Sequence, residues 1–299
     1  MEYKYVEIRF LALIGFNIHQ KTSIIISILL CIGIYSCIES HDHDSFTLIY
    51  DQGGATDLRI LSFNILTTID VKAITEGYKK WVDRRDALFN YINNLSPDII
   101  ALQEASPSQY DQIDEYFSDS YKIIDNRGFS PDSILLYKRD IFNQLEKGHW
   151  ILEKPDEPKI RRLAVWVKLE HKTTNKQLMA IGVHLDAKDI KLEEAKRLAG
   201  KIQENFRFNA PIILLGDFNA ESDSSTYGQF INIGMKDWLT NEESQEHFTY
   251  PYHEPARRID HIFLFSPRFT FKDHLHQLTP DEHISDHKPV ALDITIEKS

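Results

Sequence analysis

Cysteine is nearly absent from this 299-residue chain: Cys31 and Cys37 are the only two, and both lie near the N-terminus. The rest of the sequence therefore has neither a disulfide framework nor a thiolate metal cluster. Any metal ion would be held by oxygen and imidazole, donors that suit Mg²⁺, Mn²⁺ or Ca²⁺ before zinc. Positive charge is also short, with 34 Lys and Arg against 45 Asp and Glu and a formal net charge of −11. Such a chain has no long-range field to concentrate on a polyanion, which speaks against indiscriminate nucleic-acid binding. A bound metal ion could still supply positive charge locally. No low-complexity linker or internal repeat follows residue 57, so 57–299 is expected to form one domain.

The long apolar run is short for a membrane span. Residues 24–38 are apolar, broken mainly by Ser27, Gly33 and Ser36, with Lys21 just before them. A helix needs about 20 apolar residues to cross a bilayer, so the run fits a signal-peptide core better. It ends Ile34-Tyr35-Ser36-Cys37, which resembles the lipobox of bacterial lipoproteins, where the cysteine is acylated and becomes the first residue. The expectation is a signal peptide at 1–36 and a lipidated Cys37 heading a polar tether to residue 56. The protein would then be exported and held on a membrane by that lipid, in the periplasm or at the cell surface. The alternative is an uncleaved anchor with Cys37 incidental. Cleavage would remove Lys4, Arg9 and Lys21 with Glu2 and Glu7, so the mature chain stays acidic.

Short β-rich runs recur at 58–63, 99–102, 133–137, 163–169, 177–183, 212–215, 261–264 and 290–294. Several alternate strictly or are wholly apolar, as expected of strands buried on one or both faces. Apolar residues at helical spacing mark 83–94 and 190–206. Strands and helices mixed without a regular βαβ period point to an α/β (α+β) fold of two packed sheets with helices outside.

Polar residues recur where these strands end, on loops that a rigid sheet presents together. Asn64 closes the first run and Gln103-Glu104 the second. His184-Leu185-Asp186 and Gly216-Asp217-Phe218-Asn219 close two more, and Asp260-His261 and Ser285-Asp286-His287 follow. Alternation puts Asp217 and Asn219 on one side of an extended chain. Each cluster alone is an ordinary turn. Together they hold what phosphate-ester hydrolysis requires: carboxylates for a metal ion, a base for water, and donors for the developing charge.

This ordered series, with its G-D-F-N and S-D-H-x-P-V motifs, resembles the endonuclease/exonuclease/phosphatase superfamily over roughly residues 57–297. The resemblance implies a four-layer sandwich, two packed mixed β-sheets flanked by helices. It implies Mg²⁺, with Mn²⁺ possible, as cofactor and a phosphate ester as substrate. Glu104, with Asn64 beside it, would hold the principal ion, and Asp286 would be a ligand of the same or a second ion. Asp217 would position and deprotonate the attacking water, supported by Asn219. His184 would donate to a phosphate oxygen, and His287, oriented by Asp260, would stabilise the pentacovalent state. An arginine before a strand would reach the phosphate, here Arg162 or its neighbour Arg161.

Nuclease members of the superfamily often carry a tyrosine where this chain has Ser133. With the acidic charge, this favours a small or membrane-borne substrate over extended nucleic acid. Trp81 and Arg84 read as core or cap rather than pocket, and a monomer is expected. Within the phosphoesterase reading, a nuclease, a sphingomyelinase-like enzyme and a sugar or inositol phosphatase stay open. A lipoprotein that binds a ligand without turnover is the competing class, disfavoured because Glu104, His184, Asp217 and His287 are all present.

Overall fold

A computed structural model describes residues 56–68, 77–124, 133–152, 162–188, 190–205, 210–238, 247–266, 269–276 and 284–298. The chain divides into Met1–Thr47 and Leu48–Ser299, and every described residue belongs to the second unit. The expected leader, Cys37 and all of the tether but Thr56 lie outside the described residues, as does Arg161. Among the described residues no helix is long and apolar enough to cross a membrane.

Twelve strands and four helices are described. In chain order they are β1 (Thr56–Asn64), α1 (Trp81–Leu95), β2 (Ile99–Gln103), α2 (Pro107–Phe117), β3 (Tyr121–Ile124), β4 (Ser133–Lys138), β5 (Phe142–Ile151) and β6 (Leu163–His171). There follow β7 (Gln177–His184), α3 (Lys191–Asn205), β8 (Ile212–Asp217), α4 (Ser225–Asn232), β9 (Lys236–Asp237), β10 (Asp260–Phe265), β11 (Phe269–His276) and β12 (Val290–Lys298). All eight sequence-predicted strands and both helices are present, in a fold of two mixed sheets with outer helices.

One sheet runs β11-β12-β1-β2-β4-β3 and the other β5-β6-β7-β8-β10-β9. Each contains one parallel pair, β1 with β2 and β7 with β8. Parallel neighbours need a crossover, supplied by α1 in the first case and α3 in the second. Strand periodicity sorts the side chains into three cores. Leu58, Ile60, Ala101, Leu135, Ala180, Leu215 and Ile262 meet between the sheets. Leu61, Phe63, Ile100 and Leu102 point the other way and pack on Leu88, Ile92, Ile113 and Phe117 of α1 and α2. Ile181, Val183, Ile212 and Leu214 do the same beneath Ala195, Leu198 and Ile202 of α3 and Phe230 of α4.

The inner core is apolar along most of its length and turns polar at one end. Continuing the alternation from Ile60, Ala101 and Leu135 leads to Asn64, Gln103 and Ser133. These occupy paired positions on β1, β2 and β4. From Ala180, Leu215 and Ile262 it leads to His184, Asp217 and Asp260, paired across β7, β8 and β10. Paired residues point to the same face. Two rows of three polar residues therefore face each other at the top of the inter-sheet core.

Candidate active site

The middle of these rows is held by hydrogen bonds between the sheets. Asn64 Nδ2 donates to Glu104 Oε1 at 3.1 Å and, across the cleft, to Asp217 Oδ2 at 3.0 Å. Its Oδ1 accepts from the Leu66 amide, so the face toward the carboxylates is the donor face. Glu104 Oε2 accepts from the Thr67 amide at 3.1 Å. Asp217 Oδ1 accepts from the Asn219 amide at 2.8 Å.

The backbone bends sharply at these points. Glu104 and Asn219 have φ of +62° and +47°. Left-handed conformation is ordinary for asparagine but costs glutamate about 1 kcal/mol or more. Gly216, paired with Val183 on β7, admits no side chain, since a Cβ there would lie 1.9 Å from the Val183 carbonyl oxygen. This explains the glycine of the G-D-F-N motif: close approach of β8 to β7 sets the height of Asp217 beside His184.

Two histidines flank Asp217. His184 Nε2 lies 3.5 Å and His287 Nε2 3.8 Å from Asp217 Oδ2. Arg162 Nη1 donates to His184 Nδ1 at 2.9 Å. A guanidinium has no acceptor, so Nδ1 must accept and the ring proton sits on Nε2, which lies between Asp217 Oδ2 and the Asn219 side-chain nitrogen at 3.3 Å. Burial and the Arg162 charge lower the His184 pKa against Asp217 and Glu104, which keeps this ring neutral. His287 is the opposite case. Burial lowers it, but the charge and 2.9 Å hydrogen bond of Asp260, with Asp217 and Asp286, lift it to about 10.

The sequence-predicted residues thus converge: Asn64, Glu104, Asp217, Asn219, His184, Arg162, His287 and Asp260 form one bonded network. Arg162 is placed against His184. Asp286 joins electrostatically: burial raises its carboxyl, opposed by His287 and reinforced by Glu104 and Asp217, to about 6. Asp186 serves structure instead. Asp186 accepts from the Lys188 amide, and Arg197 donates to the Leu152 carbonyl.

Several contributors escaped sequence reasoning. Ser285 Oγ donates to the Asn64 carbonyl at 2.6 Å and accepts from the His287 amide at 3.2 Å. It was legible as part of the motif but carried no role. Thr249 Oγ1 accepts from the Ile259 and Asp260 amides, and the Thr249 carbonyl accepts from the Lys288 amide at 2.7 Å. Tyr250 lays its ring 4.7 Å from that of His287. These lie in an irregular loop with no period to mark them.

Arg84 is 1% exposed and anchors the site from behind. Its guanidinium donates to the carbonyls of Ile65 and Leu66, just past Asn64, to Ile284 at 2.8 Å, just before Ser285, and to Lys79 at 3.1 Å. With Trp81 stacked beside it at 5.2 Å, the pair is structural, as the sequence suggested.

The donor set suits a hard divalent cation. Glu104, Asp217, Asp260 and Asp286 crowd one small site, and burial, reinforced by the Glu104 and Asp217 charges, raises the Asp286 carboxyl. Asp217, Asp260 and His287 also offer ligand atoms within 4.8 Å of one another. There, however, His287 Nδ1 and Asp260 Oδ2 are already joined by a proton, so the Glu104 and Asp286 side fits a cation better.

Known proteins show the same arrangement of chain. The sequence model of the Endonuclease/Exonuclease/phosphatase family matches residues 61–287. The Escherichia coli K12 protein YbhP is 20% identical over 250 residues, covering 78% of this chain and 96% of that one. An endonuclease/exonuclease/phosphatase family protein from Bacteroides thetaiotaomicron superposes with a TM-score of 0.67 at 25% identity, over 82% of this chain and 99% of that one. The mannosyl-6-phosphatase of B. thetaiotaomicron superposes with a TM-score of 0.66 at 26% identity, over 79% and 99%. A match running from β1 through His287, over the strands that carry the two facing polar rows, means that this chain belongs to the endonuclease/exonuclease/phosphatase family.

Proposed function

We propose that this phosphoester hydrolase depends on Mg²⁺ or Mn²⁺, acts on a small or membrane-borne phosphate ester, and works outside the cytoplasmic membrane, tethered by lipid on Cys37. The observation that carries the catalytic part is Asp217, a buried carboxylate aimed into the cleft and fixed on both oxygens. Glu104 and Asp286 would hold the cation, with Asn64 bracing Glu104. When bound, a divalent ion there neutralises phosphate oxygens and the charge developing in the transition state.

The chain's own residues do the remainder. Asp217 takes the proton of the attacking water, its orientation set by Asn64 and Asn219. His184 presents Nε2–H to a phosphate oxygen, its tautomer set by Arg162. His287, held charged by Asp260, places a second N–H beside the same carboxylate and stabilises the charge that builds on the reacting phosphate.

The substrate preference rests on the acidic chain, on Ser133 in the cleft row, and on likeness to a mannosyl-6-phosphatase. The anchor rests on the Cys37 motif.

The test is hydrolysis by the domain with its tether, from residue 40, with Mg²⁺, Mn²⁺ or EDTA. The panel is bis-p-nitrophenyl phosphate, p-nitrophenyl phosphate, sugar and inositol phosphates, sphingomyelin and plasmid DNA. Turnover that needs the metal and disappears in Asp217→Ala is expected. Metal binding with no turnover on any member would favour the ligand-binding alternative, and a preference for plasmid would overturn the substrate assignment.

A further inference from the structure

Asp217 owes half of its orientation to the chain that leaves β8. Its Oδ1 accepts from the Asn219 amide at 2.8 Å, and Asn219 is left-handed, with φ of +47°. Asparagine tolerates that region without being confined to it, so the residue alone does not hold the turn. A flip of the peptide between Phe218 and Asn219 would withdraw the amide from Asp217. Such a flip changes φ of Asn219 and so has to move the chain on one side of it. Upstream, the Phe218 amide is tied to the Ile259 carbonyl at 2.9 Å. Downstream, the Asn219 and Ala220 carbonyls are held by side chains. Lys191 Nζ, at the start of α3, donates to the Asn219 carbonyl at 2.9 Å. His261 Nε2, on β10, donates to the Ala220 carbonyl at 2.8 Å. Among the described residues no backbone amide reaches either carbonyl.

Each donor is fixed from behind. His261 is fully buried, and its Nδ1 meets Asp237 Oδ2, at the end of β9, at 3.1 Å. Carboxylate and carbonyl oxygens only accept, so each ring nitrogen carries a proton and neither contact can be given up without a buried loss. Asp237 is in turn gripped by Arg258 at 2.7 Å. On α3, Glu194 lies three residues beyond Lys191 and accepts from the Asp186 amide at 2.7 Å. The first turn of the helix is thereby fastened to the exit of β7, beside the loop that Lys191 reaches.

We propose that Lys191 and His261 are positioning residues for the catalytic carboxylate, acting on Asp217 through the Asn219–Ala220 segment. Each pins one of two successive peptide planes. Together they keep Asn219 left-handed, with its backbone amide on Asp217 and its side-chain amide on the Leu185 carbonyl at 3.0 Å. This rests on Asp217 as the base of the phosphoesterase reading and adds the residues that aim it. A reacting group displaced by about 1 Å can lose about 10²-fold in rate, so a clamp of this kind is read in kcat.

Two measurements on the full chain test it: hydrolysis of bis-p-nitrophenyl phosphate with Mg²⁺, and hydrogen exchange at the Asn219 amide. Lys191 is half-buried at the surface, so Lys191→Met should keep the melting temperature within a few degrees. Its kcat should fall by about 10- to 10²-fold with KM within about threefold of wild type. The Asn219 amide should exchange faster. Lys191→Arg keeps a cationic donor and should recover most of the rate and the protection. His261→Gln keeps a donor for Ala220 and His261→Leu has none, so kcat should fall in that order. An unchanged kcat in Lys191→Met, a rise in KM alone, a Lys191→Arg no better than Lys191→Met, or unaltered exchange at Asn219 each overturns the clamp. A wild type inert on every ester tried removes the phosphoesterase reading instead, and exchange at Asn219 then decides the clamp alone. Should Lys191→Met fail to fold, Lys191→Gln read by the same two measurements decides.

Discussion

Arg84 offers the sharpest test of how the core holds the site. Replacing it with methionine keeps most of the volume but removes the donors to the carbonyls of Lys79, Ile65, Leu66 and Ile284. Three of those bonds are buried, and each buried group left unsatisfied costs roughly 1–3 kcal/mol. Some relaxation toward the half-exposed Lys79 side is expected, which gives a net destabilisation of about 3–5 kcal/mol. That is a large share of the roughly 5–15 kcal/mol that holds a typical domain together. Burial lowers the guanidinium pKa to about 10 against the pull of Asp286 and Glu104, so the side chain is still charged at neutral pH. Arg84→Lys keeps the charge but lacks the planar fork that reaches four carbonyls, and should fall between the two. Urea and thermal unfolding read the effect: for a domain of this size the melting temperature should drop by roughly 6–20 °C in Arg84→Met. The same carbonyls flank Asn64 and Ser285, so any folded Arg84→Met should also lose turnover through kcat. A methionine variant within about 1 kcal/mol of wild type would refute the clamp.

Asp217→Asn should keep the melting temperature within a few degrees while turnover falls by about 10²–10⁴-fold, the range for a lost general base. An unimpaired rate would move the base elsewhere. Gly216→Ala forces a Cβ to within 1.9 Å of the Val183 carbonyl, so the strands must separate, at a cost of about 1–3 kcal/mol or more in denaturant titration. Burial pushes the Asp237 carboxyl up, but His261 and Arg258 outweigh it and hold its pKa below the usual range. A depressed carboxylate stabilises the fold above its unfolded pKa of about 4 and loses that contribution as pH falls through the folded value. The stability gap between wild type and Asp237→Asn should therefore be wide at pH 7 and narrow below about pH 4; a constant gap would show that the charge does not matter.

The strands legible in the sequence were those with two buried faces or strict alternation, such as 58–63 and 212–215. Two of those that escaped, β5 and β9, lack that signal. β5 runs along a sheet edge, carries Gln144, Glu146 and Lys147 toward solvent and breaks its register between Gln144 and Glu146. β9 is two residues long. The α2 helix also escaped the sequence analysis, since its body is mostly polar and what marks it is its start, a capping box between Ser106 and Gln109 with Pro107 at its first position. In the site, motif residues at strand ends were legible because a strand fixes their direction. Arg162 was placed near the phosphate, and its bond to His184 could not be foreseen, since it depends on how β6 and β7 pair. Thr249 and Tyr250 depend on a loop folding back over the segment from Asp286 to Lys288, which no local pattern encodes.

The two histidines show how register becomes chemistry. Both are buried and both turn Nε2 toward Asp217 Oδ2, His184 from the end of an inner-facing series on β7 and His287 from the loop before β12. They differ in the residue behind Nδ1. Behind His184 stands Arg162, which has only donors, so Nδ1 accepts and the ring stays neutral. Behind His287 stands Asp260, an acceptor, so Nδ1 keeps a proton and the ring is charged. Environments that drive identical groups apart assign their roles: one neutral donor and one cation flank the same carboxylate. Neither supporting residue has to touch a substrate to do this. Arg162 stands at the head of β6 and Asp260 opens β10, so the sheet pairings that build the core also decide which imidazole carries the charge.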